Sequence, residues 1–232
     1  MWIKNRFDAV LPAYTRIPLA LVVCCNWLAY FATRLITRGM THHDLSLPLD
    51  GMLPFVPAFV VFYILAYVQW VVGYILIARE SRELCYRVLS GEIIAKLICL
   101  ALFVLLPTTM TRAEITSDGL FSGIVNVIYR TDAADNLFPS IHCLESWVCF
   151  RGALRLKKVG PWYRYVSLVF SLLVFTSTVL IKQHVIVDIL AGVAVYELGR
   201  RIADKTNFAA VFQKINGRFL KKADLENVHE EV

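Results

Sequence analysis

A chain of 232 residues that is 58% hydrophobic and only 18% charged, with a mean hydropathy of +0.60, is too apolar for a soluble domain and has the composition of an integral membrane protein. Its length holds several spans and leaves no room for a second large domain. The net charge of +6 does not point to nucleic acid, because Lys and Arg sit in short clusters between apolar runs, the pattern of cytoplasmic loops facing anionic lipid.

Stretches of roughly 20 apolar residues with few charges mark candidate spans. Six are expected, at Ile17–Ile36, Leu53–Ala78, Glu92–Leu106, Leu137–Leu154, Tyr165–Ile181 and His184–Leu198. The third and the last two are short and need tilt or local thinning of the bilayer. Basic residues precede the first span (Lys4, Arg6, Arg16), separate the second from the third (Arg79, Arg82, Arg87), separate the fourth from the fifth (Arg155, Lys157, Lys158, Arg164) and follow the sixth (Arg200, Arg201, Lys205). With six spans all four groups fall on one side, which the positive-inside rule assigns to the cytoplasm together with both termini. No small-residue cleavage site follows the first apolar run, so it is expected to be a retained span.

Of the six cysteines, Cys24, Cys25, Cys99, Cys143 and Cys149 fall inside apolar segments, where a thiol acts as a small hydrophobe, and Cys85 lies in a charged loop; no structural disulfide is expected. There is no internal repeat and no low-complexity segment. After residue 202 the chain TNFAAVFQKINGRFL sets Phe208, Val211, Phe212, Ile215 and Phe219 at helical spacing among Lys214, Arg218, Lys221 and Lys222. That pattern predicts an amphipathic helix on the cytoplasmic leaflet, followed by an acidic, disordered tail. The expected organisation is therefore an all-α membrane domain over 1–202 and an amphipathic helix with a tail over 203–232.

The outer side receives the loop from Thr37 to Met52, the long loop from Pro107 to Asn136 and a tight turn near His184. Asp50 is expected to cap a helix, and His42 and His43 to be solvated. Glu114, Asp118, Arg130, Asp132 and Asp135 are expected to be surface charges.

The chemistry concentrates in three places on that side. In the last span His184 and Asp188 are four residues apart; on a helix they share a face, so the carboxylate orients the imidazole through Nδ1 and leaves Nε2 as nucleophile or base. A buried ionisable pair in an apolar segment is expensive, which favours function over a solvated pair. Span four opens Asn136-Leu137-Phe138-Pro139-Ser140-Ile141-His142, a helix start whose N–H groups suit an anion, with a Ser donor and a His one turn in. Arg112 lies in the long loop on the same side. Glu145 could tune His142, pair with Arg151 or Lys182, or be a structural carboxylate; Lys182 could contact a phosphate or extend to the interface beside Gln183. A metal site is the rival reading of two His and an Asp. The cations Arg112 and Lys182 disfavour a metal and suit a phosphate.

Pro139-Ser140-Ile141-His142 resembles the PSGH motif of the type 2 phosphatidic acid phosphatase (PAP2) superfamily. Ser177-Thr178 through His184 to Asp188 resembles its SRxxxxxHxxxD motif at the same spacing. The KxxxxxxRP motif survives in part: Arg112 matches its Arg, while Ala113 replaces the Pro and Leu105 the Lys. Ile141 stands for the Gly of the second motif and Thr178 for the Arg of the third, a pattern similar to the sphingolipid-synthase-like branch. The resemblance implies a six-helix membrane enzyme that hydrolyses a lipid phosphomonoester or diphosphate at the extracytoplasmic face of the cell membrane. His184 would form a phosphohistidine, Asp188 would stabilise its imidazole, and His142 would protonate the leaving lipid oxygen and then activate water. Arg112, Ser140, Ser177 and Lys182 would hold the phosphoryl oxygens. Neither metal nor cofactor is implied; the partners are the lipid substrate and the membrane. Transfer of a phospho-headgroup to an alcohol acceptor, or binding of an anionic lipid without catalysis, are the alternatives.

Overall fold

The computed structural model describes residues 10–116 and 118–217. The protein is built from helices: α1 (Ala13–Thr37), α2 (Pro48–Met52), α3 (Pro57–Glu80), α4 (Arg82–Leu105), α5 (Leu120–Thr131), α6 (Ile141–Ala153), α7 (Trp162–Leu180) and α8 (Ile186–Thr206). Among the described residues α1, α3, α4 and α7 are long and apolar enough to cross a membrane. Their outward side chains, such as Trp27, Leu35, Val71 and Val169, are exposed, as expected of helices that meet lipid on one side. The 21 residues of α8 are interrupted by charge from Glu197 onward, and α6 has 13 residues, about 20 Å of helix against a hydrocarbon core of roughly 30 Å.

Central to the bundle is α4, which packs on α1, α3 and, most extensively, α8. It begins at Arg82, ten residues before the predicted third span, because the Ser81 hydroxyl accepts the Leu84 N–H and starts the helix there; Ser81 is the only residue between α3 and α4. The α4–α8 contact is close because Gly199 presents no Cβ, which would otherwise meet the Gly91 carbonyl at 2.5 Å. Hydrophobic residues of α3, α4, α6 and α8, among them Ile77, Leu89, Phe103, Leu144 and Tyr196, form the main core.

Buried inside that core is a charged cluster that the sequence reading did not anticipate. The Lys96 ammonium lies 2.9 Å from Glu92 and 2.5 Å from Glu145, and the Tyr74 hydroxyl lies within hydrogen-bond reach of both carboxylates. Glu145 therefore pairs with neither Arg151 nor Lys182; Arg151 pairs instead with Glu197 at 2.8 Å.

The segments between α1 and α2 and between α4 and α6 are tied together. A short parallel pair joins His43–Asp44 (β1) to Thr108–Thr109 (β2), and Thr109 bridges to Asp135. The long loop between α4 and α6, expected as a loop with surface charges, contains the helix α5. Its Val125, Ile124 and Ile128 pack with Val60, Tyr63 and Ile181, which seats it on the bundle. At the other end α8 stops where Asn207 takes a left-handed conformation. The helix over 209–217 then turns Phe212 onto Tyr86, and Asn216 donates to the Tyr86 hydroxyl and the Tyr14 carbonyl. This helix thus docks by part of its apolar face. Lys4, Arg6, Arg218, Phe219, Lys221, Lys222 and the acidic tail lie outside the described residues.

Candidate active site

The starts of α6 and α8 lie side by side at one end of the bundle. The Ser140 N–H donates to the Asp188 carbonyl at 3.0 Å, and Gly192 allows the approach, since a Cβ there would sit 2.5 Å from the Ser140 carbonyl oxygen. Upstream, the Thr108 hydroxyl accepts the N–H groups of Leu137 and Phe138, so β2 fixes the chain leading into α6. Asp50 fixes the chain leading into α8, its carboxylate accepting the N–H groups of Leu47 and Ile186. Asp50 is a cap, as expected, but for two elements at once.

This frame brings His142 and His184 together, with ring centroids 6.3 Å apart. Helix α8 begins at Ile186, so His184 stands in the turn before it and only Asp188 is helical. The expected pairing through a shared helix face is instead made across that turn, His184 Nδ1 to Asp188 Oδ2 at 3.2 Å. The same carboxylate oxygen accepts the Val185 N–H at 3.0 Å. Asp188 is 1% exposed and His184 8%, so the pair is shielded, and the Nδ1 contact leaves Nε2 as the nitrogen available for chemistry. His142 stacks on Tyr63 at 4.2 Å, and its Nε2 lies 3.4 Å from the Tyr67 hydroxyl.

Both imidazoles line a cavity of about 300 Å³. Its lining is mixed, with the apolar Trp70, Phe103, Leu137 and Ile141 and the polar Gln183, Asn136, Asp132 and Asp135. Asp132 and Asp135 were expected at the surface, but both are held inward by α1: the Tyr30 hydroxyl donates to Asp132 at 2.5 Å, and Arg34 Nε donates to Asp135 at 2.7 Å. Asn136 Oδ1 and the Gln183 amide nitrogen are buried and have no hydrogen-bond partner among the described residues. Nothing in the local sequence of α1 marks Tyr30 and Arg34; only the packing of α1 on α4 brings them to this rim.

The remaining expected residues sit around this cavity and do not line it. Ser140 is fully buried and caps α6 by accepting the Cys143 N–H at 3.3 Å, and Ser177 donates to the Val174 carbonyl at 2.7 Å. Lys182, in a left-handed conformation, donates to the carbonyls of Asp50 and Leu53, both at 2.8 Å. Arg112 stacks over Tyr129 at 4.5 Å and donates to the carbonyls of Tyr129 and Asp132. Burial pushes the Tyr129 phenol up to about 12, with Arg112 opposing, so it remains a donor, to the Ile181 carbonyl at 2.7 Å. Arg112 and Lys182 line a second, more open cavity of about 460 Å³ with Asp50. Gln183 is the link between the two cavities: its oxygen accepts from Arg112 at 2.9 Å while its nitrogen is left over. Its one sequence signal is its place next to His184, and the expected interfacial position is corrected by its burial.

The arrangement offers a nucleophile held by a carboxylate, a second imidazole opposite it, and an amide donor polarised by a guanidinium. These are the parts of phosphoryl transfer. Among the described residues no group of three His, Cys, Asp or Glu is placed to hold a metal ion. A family model described as the PAP2 superfamily matches residues 41–200, a stretch that includes His142, Gln183, His184 and Asp188. No curated protein and no solved structure matches the chain.

Proposed function

Because the chain belongs to the PAP2 superfamily, a family of phosphate-ester hydrolases, we propose that it is a membrane enzyme that removes phosphate from a lipid phosphomonoester or diphosphate. The observation that carries this reading is the His184–Asp188 pair facing His142 across one cavity. In the first step His184 Nε2 bonds to phosphorus as the bond from phosphorus to the lipid oxygen breaks, and a proton from His142 neutralises the leaving oxygen. Asp188 stabilises the positive imidazole. In the second step His142 takes a proton from water, whose oxygen displaces His184 and releases inorganic phosphate. The Gln183 N–H, with Arg112 behind it, and the first N–H groups of α6 beside Ser140 stabilise the phosphoryl oxygens. Ser177 and Lys182 support from outside the cavity, Lys182 through the chain of Asp50 that caps α8.

Six crossings, α6 and α8 included, and a site on the extracytoplasmic face complete the proposal. The basic ends of α3, α6 and α8 on one side support it. A second reading, transfer of the phospho-headgroup to an alcohol, is favoured by the rim: Asp132, Asp135 and the free Asn136 oxygen are acceptors suited to hydroxyl or ammonium groups rather than to a phosphate dianion.

The test is release of inorganic phosphate by the purified protein in detergent with EDTA, over a panel of lipid phosphates, beside His184→Ala and His142→Ala. Release that persists in EDTA and is lost in both variants is expected. Release that survives both substitutions rejects the assignment. Consumption of lipid without inorganic phosphate, with a new phosphodiester on an added alcohol, selects headgroup transfer.

A further inference from the structure

At the end of the bundle away from the histidines, four guanidiniums converge on one pocket. Arg87 comes from α4, Arg151 and Arg155 from the end of α6, and Arg200 from α8, over a wall of Leu84 and Val88. From Asp188 to Arg200 α8 rises about 18 Å, so this pocket is distinct from the catalytic cavity. Two carboxylates brace the arginines without neutralising them. Glu197 takes Arg151 Nε at 2.8 Å and Arg200 Nη2 at 2.9 Å, and Asp204 takes Arg200 Nη1 at 3.2 Å and Arg87 Nη2 at 3.3 Å. Glu83 reaches Arg87 only from solvent, at 4.0 Å. No carboxylate among the described residues pairs with Arg155, so positive charge remains in excess.

A second observation points the same way. Tyr196 lines this pocket, is fully buried, and its hydroxyl has no hydrogen-bond partner among the described residues. A buried orphan donor carries an uncompensated desolvation penalty, which an acceptor in the pocket would remove. The pocket measures about 60 Å³, several times the roughly 10–15 Å³ that one water needs. Planar guanidiniums offering paired N–H groups match the oxygens of a phosphate.

We propose that Arg87, Arg151, Arg155, Arg200 and Tyr196 form a second anion site, which takes a phosphate monoester group and joins α4, α6 and α8 around it. The group could belong to an anionic lipid headgroup, as suits a basic pocket between helices at the membrane surface, or be free phosphate. Chemistry at the histidines is not needed for the site to bind.

The experiment uses the full chain with two probes. Inorganic phosphate is titrated against protein in detergent by calorimetry, and phosphatidylinositol 4-phosphate is tested in phosphatidylcholine nanodiscs by native mass spectrometry. His184→Ala/His142→Ala is run in parallel to remove turnover. Saturable binding is expected in the wild type and in the histidine variant, weakened about tenfold or more in Arg155→Gln and in Arg87→Gln, the loss of one charged hydrogen bond. Tyr196→Phe is expected to weaken binding several-fold while the ligand-free melting temperature holds or rises, which a purely structural hydroxyl would not do. Binding of the lipid alone assigns the site to a headgroup, and binding of phosphate alone to the free ion. Absence of saturable binding by both probes, or equal binding in folded Arg155→Gln and Arg87→Gln, overturns the proposal.

Discussion

Gln183 shows how much one amide can decide. Its oxygen is held by Arg112, its nitrogen has no partner among the described residues, and the residue lines the cavity of both histidines. On the proposed mechanism Gln183→Ala removes a charge-assisted hydrogen bond of about 1.5–3 kcal/mol, roughly 10- to 100-fold in kcat/KM. Gln183→Glu should be worse, because a carboxylate paired to Arg112 presents an oxygen rather than an N–H to the phosphoryl group. Steady-state kinetics of the two variants check this; wild-type kcat/KM in Gln183→Glu would exclude the amide as a phosphoryl donor. His184 and Asp188 are legible in the sequence as a pair because only four residues separate them, and His142 is marked by the helix start Pro139-Ser140 just before it; that the two histidines share a cavity is not legible from their positions. Gln183 is not legible either, because its role depends on Arg112, which arrives from a different segment.

Among the elements, α4 joins the bundle through charge as well as packing. Tyr74 on α3, Glu92 and Lys96 on α4 and Glu145 on α6 make one buried cluster, and the desolvation of such groups is repaid only while all remain present. Lys96→Met strands two buried carboxylates and is expected to destabilise by about 3–5 kcal/mol. Adding Glu92→Gln and Glu145→Gln to Lys96→Met should recover most of that loss, since no uncompensated charge is left. Thermal unfolding in detergent measures both; a Lys96→Met protein melting with the wild type would mean that the cluster does not hold α3, α4 and α6 together. Of the readings the sequence leaves open for Glu145, the buried structural carboxylate fits, but its partner is Lys96 rather than Arg151 or Lys182. Lys96 was overlooked as one charge inside an apolar run.

At the scale of the whole molecule, the proposed six crossings make a topological prediction. Between Thr41 and Lys157 the helices that enter the count of crossings are α3, α4 and the short α6; α2 and α5 are too short or too polar to add one. If α6 crosses, the two positions face opposite sides; if it does not, they face the same side. Single cysteines at these positions, in a background lacking the six native cysteines, should label differently with an impermeant maleimide in sealed vesicles. Thr41→Cys is expected to react from outside and Lys157→Cys only after permeabilisation. Labelling of both from one side would reject the six-crossing topology.

The sequence by itself determined the membrane class, the helical architecture, the family, and the spacing of His142, His184 and Asp188, because apolar runs and short motifs are local properties of the chain. Tertiary structure alone decided that Asp132 and Asp135 face the cavity, that Lys96 joins Glu92 to Glu145, and that arginines from three helices share a pocket. These contacts join residues far apart in the chain. They depend on how closely helices approach, which small residues such as Gly192 and Gly199 set by what they leave out, and no periodicity within one segment records its distance from another.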